Sequence, residues 1–168
     1  MVQPPPASAL SVEPAGTEDF ARIAELTVGV YVDGGLASEG YAPELVDVAG
    51  RASRSELLVV RDADGRLVGS VALVLSGDFG NITTSDAEAA FRMLVVDPTA
   101  QGRGIGELLV TACLDRARAV GKRRMVLSTD PRMTAAHRLY QRLGFTRLPE
   151  RDWSPEPGID LLTYACEL

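Results

Sequence analysis

Apolar positions along this chain switch between two periods. Leu57 to Arg61, Leu67 to Leu75, Phe91 to Val96 and Arg124 to Ser128 are short apolar runs that predict strands, and Asp62-Ala63-Asp64-Gly65 between the first two is a hairpin signal. From Ile105 to Val120 the spacing becomes helical: Ile105, Leu108, Leu109, Ala112, Ala117 and Val120 form a stripe expected to face the sheet, and Gly121 ends it. Met133, Ala136, Leu139, Tyr140 and Leu143 recur at three- and four-residue steps. They predict a second amphipathic helix with Asp130 as N-cap, Pro131 at its first position and Gly144 as its left-handed stop. Nearer the N-terminus, Leu10 to Glu13 reads as an edge strand. Thr17 reads as the N-cap of a helix running to about Tyr31, and Pro43 or Glu44 as the start of another that ends near Ser53. Ser76 to Glu88 is a polar loop, and Thr146 to Arg151 with Leu161 to Glu167 predicts a closing antiparallel pair.

Hairpin, strand, helix, strand, helix, strands is an order that makes an α/β protein, a mixed sheet with helices on its faces. The 168 residues, 46% of them hydrophobic, suffice for one core, so a flexible tail over residues 1–7 and one domain over residues 8–168 are expected. A net charge of −6 argues against a nucleic-acid face and suits a cationic acceptor. No apolar run reaches the ~18 residues of a membrane span, and Met-Val-Gln-Pro-Pro-Pro lacks the basic and apolar regions of a secretory leader. A cytoplasmic protein with no membrane partner is expected. Cys113 and Cys166 sit among apolar neighbours and read as buried free thiols. With His137 the only histidine and no C-x-x-C, no metal site is expected.

The chemistry concentrates after Val96. Asp97-Pro98 turns the chain, and Gln101-Gly102-Arg103-Gly104-Ile105-Gly106 leads into the helix at Ile105. The first amides of a helix lack intrahelical partners and carry the positive end of its dipole, so such a terminus attracts anions. Glycine there lets a phosphate approach the amides and permits positive φ. The spacing is neither a dinucleotide fingerprint, since Glu107 stands where the last glycine is needed, nor a Walker loop, since Gly121-Lys122 continues with Arg123. It is Q-x-x-G-x-G at Gln101, Gly104 and Gly106. Downstream, Ala136 to Phe145 reads A-x-x-L-Y-x-x-x-G-F.

These two blocks, in this order, resemble the conserved motifs of the GNAT superfamily of acetyl-CoA-dependent N-acetyltransferases, and the likeness extends from Leu57 to Leu168. The resemblance implies the GNAT (acyl-CoA N-acyltransferase) fold: a mixed, mostly antiparallel sheet, helices on both faces, and central strands that splay apart at the cofactor. It implies that Gln101, Gly102, Arg103, Gly104, Ile105 and Gly106 hold the pyrophosphate of acetyl-CoA. Main-chain groups of Leu94, Val95 and Val96 would pair with the pantetheine, and Tyr140 would protonate the leaving sulfur. One position departs: Met133 stands where the family often has Asn, with Thr129 or Asp130 as substitutes.

The implied reaction is direct attack of a primary amine, from a small molecule or a peptide, on the thioester. An amine of pKa about 10.4 is ~3.4 units from neutrality at pH 7, a cost of ~4.6 kcal/mol, so a base is wanted. Asp78, Asp86 and Glu88 are candidates, each more readily read as a surface carboxylate, and the base is left unassigned. The loop from Tyr31 to Tyr41 and the segment from Trp153 to Gly158 would border the acceptor, with Asp33 and Glu39 available to an ammonium. A non-catalytic CoA-binding regulatory domain and a homodimer both remain open.

Overall fold

In the computed structural model, which describes residues 10–77 and 82–168, the strands are β1 (Val12–Pro14), β2 (Glu56–Arg61), β3 (Leu67–Val74), β4 (Glu88–Val96), β5 (Arg124–Thr129), β6 (Thr146–Arg147), β7 (Trp153–Glu156) and β8 (Ile159–Glu167). They form one sheet in the order β1-β2-β3-β4-β5-β8-β6, with β7 paired to β8. Every pairing is antiparallel except that of β4 with β5. The proposed tail of residues 1–7 lies outside the described residues.

Leu57, Leu58, Val59 and Val60 are all buried, and a strand can hide successive side chains only when both its faces are covered. Leu58 and Val60 pack with Ile105, Leu109, Val110 and Cys113 of α4 (Ile105–Ala119), the fourth of five α-helices among the described residues. Leu57 and Val59 pack on the other face with Ile23 and Leu26 of α1 (Phe20–Val28). Close approach of α4 depends on Gly69 in β3, where a Cβ would stand 2.6 Å from Ile105 Cγ2. The α4 stripe is shifted from the predicted one. Val110, Cys113 and Leu114 are buried, whereas Val120 is 57% exposed because the helix stops one residue before it.

Four boundaries differ from expectation for local reasons. Thr17 does not cap α1. A 3₁₀ turn over Thr17–Asp19 precedes the helix, and the Asp19 carboxylate accepts from the Gly16 amide at 2.9 Å. After Val28 the chain continues as a π turn, Gly29–Asp33, that carries Tyr31. The helix expected from residue 43 or 44 to Ser53 is split into α2 (Ala42–Val46) and α3 (Val48–Ala52), since Asp47 leaves helical geometry and accepts from the Gly50 amide at 3.0 Å. Asp130 does not cap α5 (Thr134–Arg142). Its carboxylate holds Arg132, its main-chain oxygen closes a turn at Met133, and Met133 takes the N-cap position. Both cysteines are buried free thiols.

Candidate active site

Asp97 closes β4 and fixes the loop that follows. Its carboxylate accepts from the Thr99 amide at 2.9 Å and hydroxyl at 2.7 Å. Arg22 on α1 and Arg66 in the hairpin reach it at 2.5 and 2.9 Å. The Thr99 hydrogen bonds, ahead of the arginines, hold its carboxyl below the usual range. Beyond this anchor Gly102 and Gly104 adopt φ of +79° and +77°, a region costly for side-chain-bearing residues, and a Cβ on either would meet only open space. Both are therefore demanded by the turn itself, and the space in front of them is free. Gly106 differs, since a Cβ there would touch Leu139 Cδ2 of α5 at 3.3 Å, so it sets the approach of two helices.

Among the described residues, the amides from Gly102 to Gly106 donate to no protein acceptor, and the Gly104 cap adds none. The 15-residue α4 adds its dipole to this terminus. Gln101 and Arg103 are exposed beside it, and Ile105 is buried as the hinge between loop and core.

The second part of the site is a gap in the sheet. β4 and β5 pair only where Glu88–Ala90 meets Arg124–Val126; farther along they separate, β5 toward β8 and β4 toward β3. A bulge marks the place. The β3 register jumps between Ser70 and Ala72, and Met93 takes φ +52°, left-handed backbone that a non-glycine residue holds only under constraint. Past this bulge Val95 and Val96 keep their β3 neighbours, opposite Ser70 and Gly69, while the β5-facing edge of Leu94, Val95 and Val96 has no strand against it. Edges of this kind offer main-chain groups to an extended ligand.

Tyr140 lies beneath the gap on α5, 4% exposed, with ring centroids 5.8 Å from Phe91, 5.8 Å from Phe145 and 6.2 Å from Tyr164. Burial pushes its pKa well above the ordinary phenol value, so it is a neutral donor at pH 7. His137, one turn earlier, has Nε2 3.2 Å from Thr129 Oγ1 and 3.1 Å from the Asp130 carbonyl oxygen; burial pushes its pKa down.

A cavity of about 770 Å³ opens on the other side of the bulge, walled by Met93, Tyr31, Tyr41, Thr129, Met133 and Trp153, with Arg51 and Arg92 among its polar groups. The Tyr31-to-Tyr41 loop and the Trp153 segment both border this cavity. The proposed ammonium holders do not, because Asp33 and Glu39 are exposed and outside its wall. Of the candidate bases, Asp78 lies outside the described residues and Asp86 is exposed. Glu88 is buried in an ion-pair network instead: Arg151 Nη1 binds it at 2.7 Å and the Thr84 amide at 2.9 Å. Burial raises its pKa, but those hydrogen bonds outweigh burial and the net shift is downward, which makes it a poor proton acceptor.

Sequence reasoning missed Arg51, Arg92 and the Met93 bulge. Arg51 left a trace, since it falls three residues after Val48 on the inner face of a short helix, where an apolar residue is usual. The bulge left none, because Phe91 to Val96 is apolar throughout its second half.

An open mixed sheet, flanking helices and parted central strands define the acyl-CoA N-acyltransferase fold. The structure of yncA from Salmonella typhimurium, solved with its cofactor acetyl-CoA, superposes with a TM-score of 0.73 at 22% identity over 96% of this chain and 95% of that one. Residues 21–145 match the Acetyltransferase (GNAT) family, and this chain belongs to that family. It is similar to glucosamine 6-phosphate N-acetyltransferase 1 of Oryza sativa subsp. japonica, 31% identical over 86% of this chain and 93% of the relative. A shorter stretch of 52 residues is 50% identical to mycothiol acetyltransferase of Streptosporangium roseum, covering 31% of this chain and only 15% of that much longer protein. Among the described residues no helix is long and apolar enough to cross a membrane.

Proposed function

We propose that this protein is an acetyl-CoA-dependent N-acetyltransferase that acts on a primary amine of a small molecule. The carrying observation is the conjunction of the unpartnered amides of Gly102–Gly106 with the β4–β5 gap that begins at the Met93 bulge. The first matches a diphosphate and the second a pantetheine arm laid beside Leu94, Val95 and Val96. Bound acetyl-CoA supplies an acetyl thioester, and transfer forms one N–C bond and breaks one C–S bond.

The residues divide the rest of the work. The glycine-loop amides hold the phosphates, with Gln101 and Arg103 at the rim. The strand edge fixes the arm, and an amide near Val96 polarises the acetyl oxygen. The Tyr140 hydroxyl gives its proton to the departing sulfur, the amine gives up its own proton to water in the cavity, and the tyrosinate takes a proton back through that water, so that CoA leaves as a thiol and Tyr140 is restored. The cavity size suits a small acceptor, and the relatives above carry names of amino-sugar and mycothiol chemistry. Two buried free thiols agree with a reducing, cytoplasmic setting.

A panel of amines with acetyl-CoA and colorimetric detection of free thiol tests this reading. Acceptor-dependent thiol release supports it. Binding of acetyl-CoA without release for any amine would make the protein a CoA-binding regulatory domain instead.

A further inference from the structure

The cavity beside the bulge holds a charge that the acetyl-transfer chemistry does not use. Arg51 is 3% exposed and lines the cavity. Its Nη2 donates to the carbonyl oxygens of Leu45 at 2.7 Å and Glu44 at 3.4 Å, its Nε is buried with no partner, and among the described residues it forms no ion pair. A buried guanidinium whose hydrogen bonds go only to carbonyl oxygens, with the Asp47 carboxylate acting on it without an ion-pair contact, is unusual, because buried charges are normally paired. A second guanidinium, Arg92, stands on the same wall and acts on Arg51 as a like charge, after burial the next influence lowering its pKa.

Among the described residues, the carboxylates on the cavity wall have other partners as well. Asp47 accepts from the Gly50 amide, Asp130 chelates Arg132, and Glu44 is hydrogen-bonded to Tyr41. Glu156 on β7 is exposed and also lines the cavity.

We propose that Arg51 and Arg92 receive an anionic group, a carboxylate or a phosphate, carried by the same small molecule whose amine reaches the β4–β5 gap. Guanidinium forks match both groups, each offering oxygens in a plane or cluster that one fork can grip twice. The proposal replaces the cationic acceptor expected from the net charge: Glu44, Asp47, Asp130 and Glu156 also line the chamber, but a guanidinium buried without an ion pair calls for an anion. It rests on the reading of this cavity as the acceptor chamber.

Two matched pairs test it, 4-aminobutyrate against 4-aminobutanamide and phosphoethanolamine against ethanolamine, with a simple diamine as cationic control. Thiol release gives kcat/KM, and fluorescence of Trp153, the only tryptophan and part of the cavity wall, gives binding whether or not turnover occurs. The expected result is at least a tenfold preference for the charged member of one pair, which also says whether carboxylate or phosphate is the partner. Arg92→Gln should erase the preference mainly through KM. Arg51→Lys, which keeps the charge and loses the fork, should weaken it while acetyl-CoA affinity stays unchanged. Turnover with no preference for either anion, or with the diamine favoured, overturns the proposal and leaves the acetyltransferase intact. Fluorescence-detected binding of an anionic amine without thiol release supports the site and counts against the acetyltransferase. Absence of both signals for every anionic probe, in protein that binds acetyl-CoA, overturns it as well.

Discussion

Tyr140 carries the sharpest consequence of a single atom. Its ring is locked among Phe91, Phe145 and Tyr164, so Tyr140→Phe removes the hydroxyl while keeping the packing. The expected loss in kcat is ~10²- to 10⁴-fold, the range of general-acid assistance, with little change in acetyl-CoA binding. Steady-state thiol release together with calorimetry separates the two, and full activity in the variant would remove Tyr140 from the chemistry. This residue was singled out in the sequence by the resemblance of A-x-x-L-Y-x-x-x-G-F to a family motif, a segment that also supplies the helix and its stop. Arg51 and Arg92 were not readable in that way. Each is one arginine among the 17 basic residues, and what singles them out is a cavity assembled from segments far apart in the chain.

At the scale of elements, the decisive contact is α4 on β3, since the helix that presents the amides is held by Gly69. Gly69→Val places a branched side chain against Ile105 Cγ2 and Leu109 Cδ1, at 2.6 and 3.2 Å from the new Cβ. Overpacking of this kind costs about 1–3 kcal/mol. The expected outcome is a lower Tm and weaker acetyl-CoA binding, because displacement of α4 carries the glycine loop with it; an unchanged Tm would show that the sheet and helix accommodate the methyls. Strands and long helices were legible because burial on two faces or one stripe leaves a periodic imprint. Their ends were less so. Asp130 satisfied every local rule for a cap, but its carboxylate is taken by Arg132, which also donates to the Gly35 carbonyl and so ties the α5 approach to the first cavity loop. Asp47 broke a helix that propensity would have continued, by capping the next one. The Met93 bulge is set by sheet register between distant strands, for which a local pattern contains no signal.

For the whole molecule, titration sets a window of stability. Hydrogen bonds, first from Thr99, Arg132 and Arg147 respectively, hold the carboxyls of Asp97, Asp130 and Asp152 below the usual carboxylate range. A pKa lowered by folding adds stability above the unfolded value, about 4, and that stability is lost as pH falls through the folded values. On the alkaline side burial pushes Cys113 from 9.0 up to about 12 and Tyr31 from 10.0 to about 12. The folded state then keeps protons that the unfolded chain releases, so stability declines as pH rises from those ordinary values toward 12. Thermal melts should give a plateau between about pH 5 and 8.5, falling on both sides. Cys113→Ala should reduce the alkaline slope, and a Tm unchanged from pH 8.5 to 11 would contradict this.

The same whole-molecule view leaves one claim on which site and function both stand: free main-chain donors around Gly104 hold a diphosphate. Isothermal titration of acetyl-CoA into the folded protein, with Gly104→Val in parallel, addresses it directly. A β-branched residue at φ +77° is strained and crowds the open space in front of the amides. Saturable one-to-one binding by the wild-type chain and its loss in a folded Gly104→Val variant are predicted. A wild-type titration without heat of binding, or a variant that binds equally well, would contradict the account.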